Sequence, residues 1–123
     1  MSVVLDTTVL VDVLRRSQPA RGFLMGLEGQ PSCSEVTRVE IVRGLRSAER
    51  ASADRLLSEI RWCPVDEDVA RAAGELGRRF RGSHRQLSTA DLIVAATAQR
   101  LALPLATSNV KHFPMYPRLK PPY

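Results

Sequence analysis

Short apolar runs alternate with longer stretches in which apolar residues recur every three or four positions, and this alternation continues along the whole chain. Val3-Val4-Leu5-Asp6 has the unbroken apolar character of a strand buried on both faces, and it ends in a carboxylate. Val9, Leu10, Val13 and Leu14 then keep helical spacing as far as Arg15-Arg16. A second short helix starts near Pro19, carries Phe23, Leu24 and Leu27, and closes at Gly29. Pro31-Ser32-Cys33-Ser34 predicts a short strand of small side chains. Thr37 is the expected cap of the next helix, with Val39, Val42 and Leu45 toward the core, and a further helix runs through Leu56, Leu57 and Ile60.

The second half repeats the pattern. Ile60 to Val65 reads as strand, and Asp66 caps a helix through Val69, Ala73, Leu76 and Phe80. The basic stretch from Arg78 to Arg85 reads as a loop. Ala90 to Leu101 is apolar on nearly every side, as a centrally packed helix should be. Pro104-Leu105-Ala106-Thr107 gives a last strand, and the proline-rich tail from Pro114 to Tyr123 excludes a helix while leaving room for a brief edge strand. Regular alternation of strand and helix predicts an α/β fold with a parallel sheet covered on both faces. With 123 residues, no internal repeat and no low-complexity linker, the expectation is one domain over residues 1–123.

Composition narrows the class. The 44% hydrophobic and 25% charged content suits a soluble globular protein, and no apolar run approaches the roughly 18 residues of a membrane span. The opening Met1 to Leu5 has no basic leader, and Cys33 and Cys63 suit buried small hydrophobes in a reducing compartment, so a cytoplasmic location is expected. The net charge of +5 comes almost wholly from arginine, since Lys111 and Lys120 are the only lysines. Arginine grips phosphate bidentately and stacks on bases, which suits a polyanionic partner; a solvated surface is the equally weighted alternative.

Against that basic background three acids stand out. Asp6 follows the first strand, while Glu40 and Asp91 fall in the opening turns of two predicted helices, places that share one edge of a parallel sheet. Open α/β sheets bind ligands at that edge, and three carboxylates brought together there repel one another unless a cation joins them. Read singly, each acid is better explained as a helix cap. Asp6 can cap the helix beside Thr8, Thr37-Arg38-Val39-Glu40 fits a capping box, and Ser88-Thr89-Ala90-Asp91 fits a looser one. Capping and metal binding are compatible, because a carboxylate has two oxygens.

Val-Leu-Asp6-Thr-Thr-Val, Thr-Arg-Val-Glu40-Ile-Val-Arg-Gly, Leu-Ser-Thr-Ala-Asp91-Leu-Ile-Val-Ala-Ala and Leu-Ala-Thr107-Ser-Asn109-Val-Lys-His-Phe113 occur in order along the chain. Together they resemble the PIN-domain ribonucleases and, more narrowly, the VapC toxins of bacterial toxin–antitoxin pairs. The resemblance implies a PIN-like three-layer α/β/α fold with a short central parallel sheet flanked by helices. It implies that Asp6, Glu40 and Asp91 hold Mg2+, or Mn2+ in its place, and activate water against an RNA phosphodiester, leaving a 5′-phosphate and a 3′-hydroxyl. Asn109 falls where many members place a fourth acid, which removes one negative charge and bears on a second metal position. Thr7 and Thr107 match hydroxyl positions that could orient water or phosphate.

The resemblance further implies a homodimer and neutralisation by a VapB-like antitoxin whose tail enters the acidic pocket. Arg15, Arg16, Arg38, Arg43 and Arg46 lie near the expected crevice mouth by sequence, and Arg85 sits in a second basic patch; these are candidate contacts for RNA or antitoxin. His84 and His112 are not spaced as a metal pair, and a surface or loop role is expected for both. Trp62 and Tyr123 are expected to pack rather than to stack bases. Two other readings remain. A phosphatase of the haloacid dehalogenase type also begins with a strand ending in Asp, but needs an acid at the place of Thr8; a catalytically inert RNA- or protein-binding module with the same fold would be expected to lose one of the three acids.

Overall fold

Four very short strands line up side by side. They are β1 (Val4–Leu5), β2 (Ser32–Ser34), β3 (Arg61–Cys63) and β4 (Leu105–Ala106), all parallel and in the order β3-β2-β1-β4. The computed structural model describes residues 2–83 and 87–123. Val4 is in register with both Ser32 and Leu105, so β1 is flanked on each side. The chain builds outward from β1 to β3 on one side, then crosses back to lay β4 on the other. That reversal opens a crevice beyond the carboxyl ends of β1 and β4.

Alternation along β1 and β4 divides the core in two, because successive strand residues face opposite sides of a sheet. Val4 and Leu105 pack with Val69, Ala73, Leu76, Val94, Ala98 and Phe113 beneath α5 (Glu67–Phe80) and α6 (Thr89–Leu101). Val3, Leu5 and Ala106 pack on the other face with Val9, Leu10, Ile41 and Leu57, from α1 (Thr7–Leu14), α3 (Glu35–Gly44) and α4 (Arg50–Ser58), together with Phe23 and Leu24 of α2 (Gln18–Met25). The result is the expected parallel sheet between two helical layers. Among the described residues, no helix is long and apolar enough to cross a membrane.

Several local expectations hold. Asp66 caps α5 by accepting the Val69 N–H at 2.9 Å, and Ser88 caps α6 by accepting the Asp91 N–H at 3.0 Å. Both cysteines are free, with Cys33 buried and its thiol pushed up to about 12 by desolvation. Trp62 packs on the second core cluster and donates its indole N–H to the Leu57 carbonyl.

Others are corrected. The cap of α3 is Ser34, not Thr37: strand β2 runs straight into the helix, and Ser34 Oγ accepts the Val36 N–H at 3.1 Å. Thr37 is therefore inside α3 and fully buried, and Glu40 lies in its second turn. Val39 and Val42 are exposed, because α3 turns the side carrying Thr37, Glu40 and Ile41 inward and the valines fall opposite, at about 100° per residue. Helix α2 stops at Met25 with Gly26 as its cap, short of Gly29. Arg78 and Arg79 belong to α5 and not to a loop, while His84 and Arg85 lie outside the described residues. The tail after Phe113 makes turns rather than a strand.

Candidate active site

The crevice at the strand ends is a cleft of about 400 Å³ lined by Asp6, Thr7, Thr8, Val11, Asp12, Glu40, Ser88, Asp91, Ser108, Asn109 and His112. Asp6, Glu40, Asp91 and Asn109, drawn from four separate segments, thus meet at one place. β1 delivers Asp6, α3 delivers Glu40, the first turn of α6 delivers Asp91, and Asn109 follows β4.

Asp6 stands at the N-cap position of α1, yet its side chain makes no cap hydrogen bond. The residue is only 4% exposed, and its carboxylate is held instead by two hydroxyls: Thr107 Oγ1 donates to Oδ2 at 2.7 Å and Thr8 Oγ1 donates to the same oxygen at 3.0 Å. Burial raises its pKa above the usual 3.8, the two hydroxyls pull it back in part, and the charge of Asp91 pushes it up again. A carboxylate kept desolvated and within reach of a second one is poised for a cation. Its capping duty, the plainer explanation, is not exercised.

Glu40 is likewise free of capping. Thr7 donates its hydroxyl to Glu40 Oε1 at 2.6 Å and also lies 3.1 Å from the Thr37 hydroxyl, so α1 and α3 are tied together at the acid. Thr7 thus orients a carboxylate in this structure. Thr107 is fully buried, which removes it from direct contact with water or phosphate; besides holding Asp6 it accepts the Asn109 N–H at 3.0 Å. Asp91 contributes its backbone N–H to the Ser88 cap and keeps its side chain for the cleft.

His112 lies at the surface in a short turn, as expected, and in addition lines the cleft, which the sequence did not show. Its Nδ1 lies 3.0 Å from Asp91 Oδ2 and 3.1 Å from Asn109 Nδ2. It ends a 3₁₀ turn, Val110–His112, for which Asn109 is the N-cap, and side chains three apart in such a turn stack on one side. A three-residue turn leaves no periodic trace in sequence; in the structure the neighbouring Phe113, fully buried, anchors this segment. Asp12 is a second residue the sequence did not single out. It shares a face with Thr8 at a spacing of four on α1 and accepts the Tyr123 hydroxyl.

The cleft lining contains no arginine among the described residues. Arg15 lines a smaller hollow that adjoins the cleft through Val11 and Glu40, whereas Arg16, Arg43 and Arg46 are exposed outside both. Arg38 is engaged elsewhere, paired with Glu35 and lying 4.1 Å over the Trp62 ring. Tyr123 packs against Phe23, as expected of a packing residue.

Whether these residues suit a divalent ion follows from the donor set. All the acids offer hard oxygen, and Asp6 is a buried carboxylate with no cationic partner among the described residues. Among the described residues, however, no three acidic, histidine or cysteine side chains close into a ready cage. The hard-oxygen donors are of the type Mg2+ takes, with one or two direct carboxylates and several waters.

Comparison with known proteins adds to this geometry. The family model described as the PIN domain matches residues 3–117. Ribonuclease VapC19 of Mycobacterium tuberculosis is 42% identical over 123 residues, covering 98% of each chain. Ribonuclease VapC10 of the same organism is also 42% identical, over 98% of this chain and 92% of that protein. Among solved structures, a toxin–antitoxin complex from Klebsiella pneumoniae contains a chain that superposes with a TM-score of 0.83 at 27% identity, covering 98% of both chains.

Proposed function

The chain belongs to the PIN-domain family, and on that footing we propose that it is a metal-dependent endoribonuclease of the VapC type, the toxin of a toxin–antitoxin pair. The observation that carries the reading is the convergence of Asp6, Glu40 and Asp91 on one cleft, with Asp6 desolvated and held by hydroxyls rather than spent on a helix cap. The 42% identity to proteins named as VapC ribonucleases, over nearly the full length, supports the same activity here.

The residues divide the work. Asp6 and Asp91 are the ones that would hold Mg2+ or Mn2+ directly, and Glu40, anchored by Thr7, stands ready to accept a proton from an attacking water. The bound cation would lower the pKa of water and stabilise charge on the scissile phosphate. Asn109 supplies an amide, able to donate to a phosphate oxygen, in place of a fourth negative charge. No 2′-hydroxyl is required by this arrangement. Arg15, which lines the adjoining hollow, and the exposed Arg16, Arg43 and Arg46 are the proposed phosphate or antitoxin contacts outside the cleft. The remaining assembly follows from the same reading: a cytoplasmic homodimer restrained by a VapB-like antitoxin, consistent with the likeness to a toxin–antitoxin complex.

The phosphatase alternative loses ground to a specific contact. Thr8, at the place where that chemistry needs an acid, donates its hydroxyl to Asp6 Oδ2 and accepts the Ser108 N–H at 3.2 Å, so it is a structural tie. Incubating the protein with Mg2+ and either RNA or a small phosphoester tests the assignment. RNA cleavage without release of inorganic phosphate is expected; phosphate release alone, or neither, would reject it.

A further inference from the structure

Both hydroxyls that hold Asp6 reach one oxygen, Oδ2, at 2.7 and 3.0 Å. This fixes the rotation of the carboxylate and leaves Oδ1 without a hydroxyl partner. Asp91 has a comparable donor. His112 Nδ1 lies 3.0 Å from Asp91 Oδ2, although the two residues belong to different elements 21 positions apart. The imidazole is carried on a firm base: His112 N–H donates to the Asn109 carbonyl at 3.0 Å, Phe113 N–H to the Val110 carbonyl at 3.1 Å, and the Phe113 ring is fully buried.

One ring nitrogen cannot satisfy both of its neighbours as they stand. Nδ1 either donates to Asp91 or accepts from the Asn109 amide nitrogen 3.1 Å away. A carboxylate facing a nitrogen lone pair is repulsive, whereas Nδ1–H facing it makes a charge-assisted hydrogen bond. The carboxylate therefore selects the tautomer with the proton on Nδ1, and Asn109 answers by a half-turn of its amide, which presents oxygen to the ring. Asp91 retains 16% side-chain exposure and His112 48%, so this contact sets an orientation and adds little to stability.

We propose that His112 is the positioning residue of Asp91: Nδ1–H holds Oδ2 as Thr8 and Thr107 hold Oδ2 of Asp6, so that each acid keeps its other oxygen for a divalent cation. The proposal rests on the metal-dependent reading of the cleft. Partners of this kind orient ligands and are worth about 10–100-fold in metal affinity or activity.

Calorimetric titration of Mn2+ into wild type, His112→Leu, His112→Asn and Asp91→Asn, with kcat and KM for RNA cleavage measured beside it, is the test. His112→Leu is expected to bind Mn2+ about 10-fold more weakly or worse. It should lose kcat with KM held, and melt in chelator as wild type does. His112→Asn, whose amide N–H falls near the position of Nδ1, should recover most of the affinity. Wild-type affinity in His112→Leu overturns the proposal, as does a loss that appears only in KM and is not rescued by asparagine, which would assign the imidazole to RNA. If wild type binds no Mn2+, or Asp91→Asn binds as wild type does, the metal reading falls and the proposal with it. The expected pattern of affinities without any RNA cleavage would leave His112 in place and reject the ribonuclease reading alone.

Discussion

Thr107 donates its hydroxyl to Asp6 Oδ2 at 2.7 Å, and the two residues are the first beyond the ends of the adjacent parallel strands β4 and β1. The bond therefore lies across the point where the sheet reverses its winding. It joins the last strand of the chain to the first, and fixes the acid at the floor of the cleft. Both residues are almost without solvent exposure, so the bond is made in a largely desolvated place.

Replacing Thr107 with valine keeps shape and removes the donor. Leaving a buried carboxylate short of a partner costs about 1–3 kcal/mol, and the cost should appear as a lower denaturation midpoint with an unchanged slope. Thr107→Ser should restore most of the stability, since it keeps the hydroxyl.

Asp6 itself should weaken the metal-free fold. Burial raises its folded pKa above 3.8, so over the interval between the unfolded and folded values the folded state binds the extra proton. Stability then falls as pH rises through that interval and stays lowered above it. Asp6→Asn cannot ionise and should melt higher than wild type in chelator at neutral pH, with the difference shrinking as the pH is taken below 3.8. Mg2+ should raise the melting temperature of wild type and leave the variant unmoved, because only a state that binds the ion is stabilised by it.

Thr7 tests the anchoring of Glu40. Thr7→Val frees the carboxylate that Thr7 now holds at 2.6 Å, and RNA cleavage should lose about 10-fold in kcat with KM little changed, the pattern of a lost transition-state contribution. Thr7→Ser should cleave nearly as wild type.

Two glycines in α5 check the packing of α5 on α6. A Cβ at Gly74 meets nothing within 4 Å, so Gly74→Ala should stabilise by about 0.5–1 kcal/mol through helix propensity. At Gly77 the added carbon would come within 3.0 Å of Leu92 Cδ1, and Gly77→Ala should gain less or lose stability. Chemical denaturation of the two variants side by side reads the difference.

Much of this architecture was legible in the sequence because its signals are local. Asp66 and Ser88 precede periodic apolar runs as caps do, and a strand ending in Asp6 announces the sheet edge. Thr37 misled because β2 enters α3 with no loop, which gives the cap to Ser34. Val39 and Val42 misled because hydrophobicity outweighed spacing: the inward face of α3 is the one that builds the site, and it is partly polar. Asp6 and Asp91 were found from their positions at an element end and an element start together with the resemblance, whereas Glu40 was found through the resemblance, its helix start having been placed three residues too late. His112 and Asp12 were not, since a 3₁₀ turn has no period and a single acid on a helix looks like any solvated charge.

Mapping RNA ends after brief expression of wild type beside Asp6→Asn tests the central claim most directly. New ends bearing 5′-phosphates should appear at defined positions with wild type and be absent with the variant, while both proteins accumulate in folded form. The same ends from Asp6→Asn, or none from wild type, would contradict the assignment of this cleft as a metal-dependent ribonuclease centre.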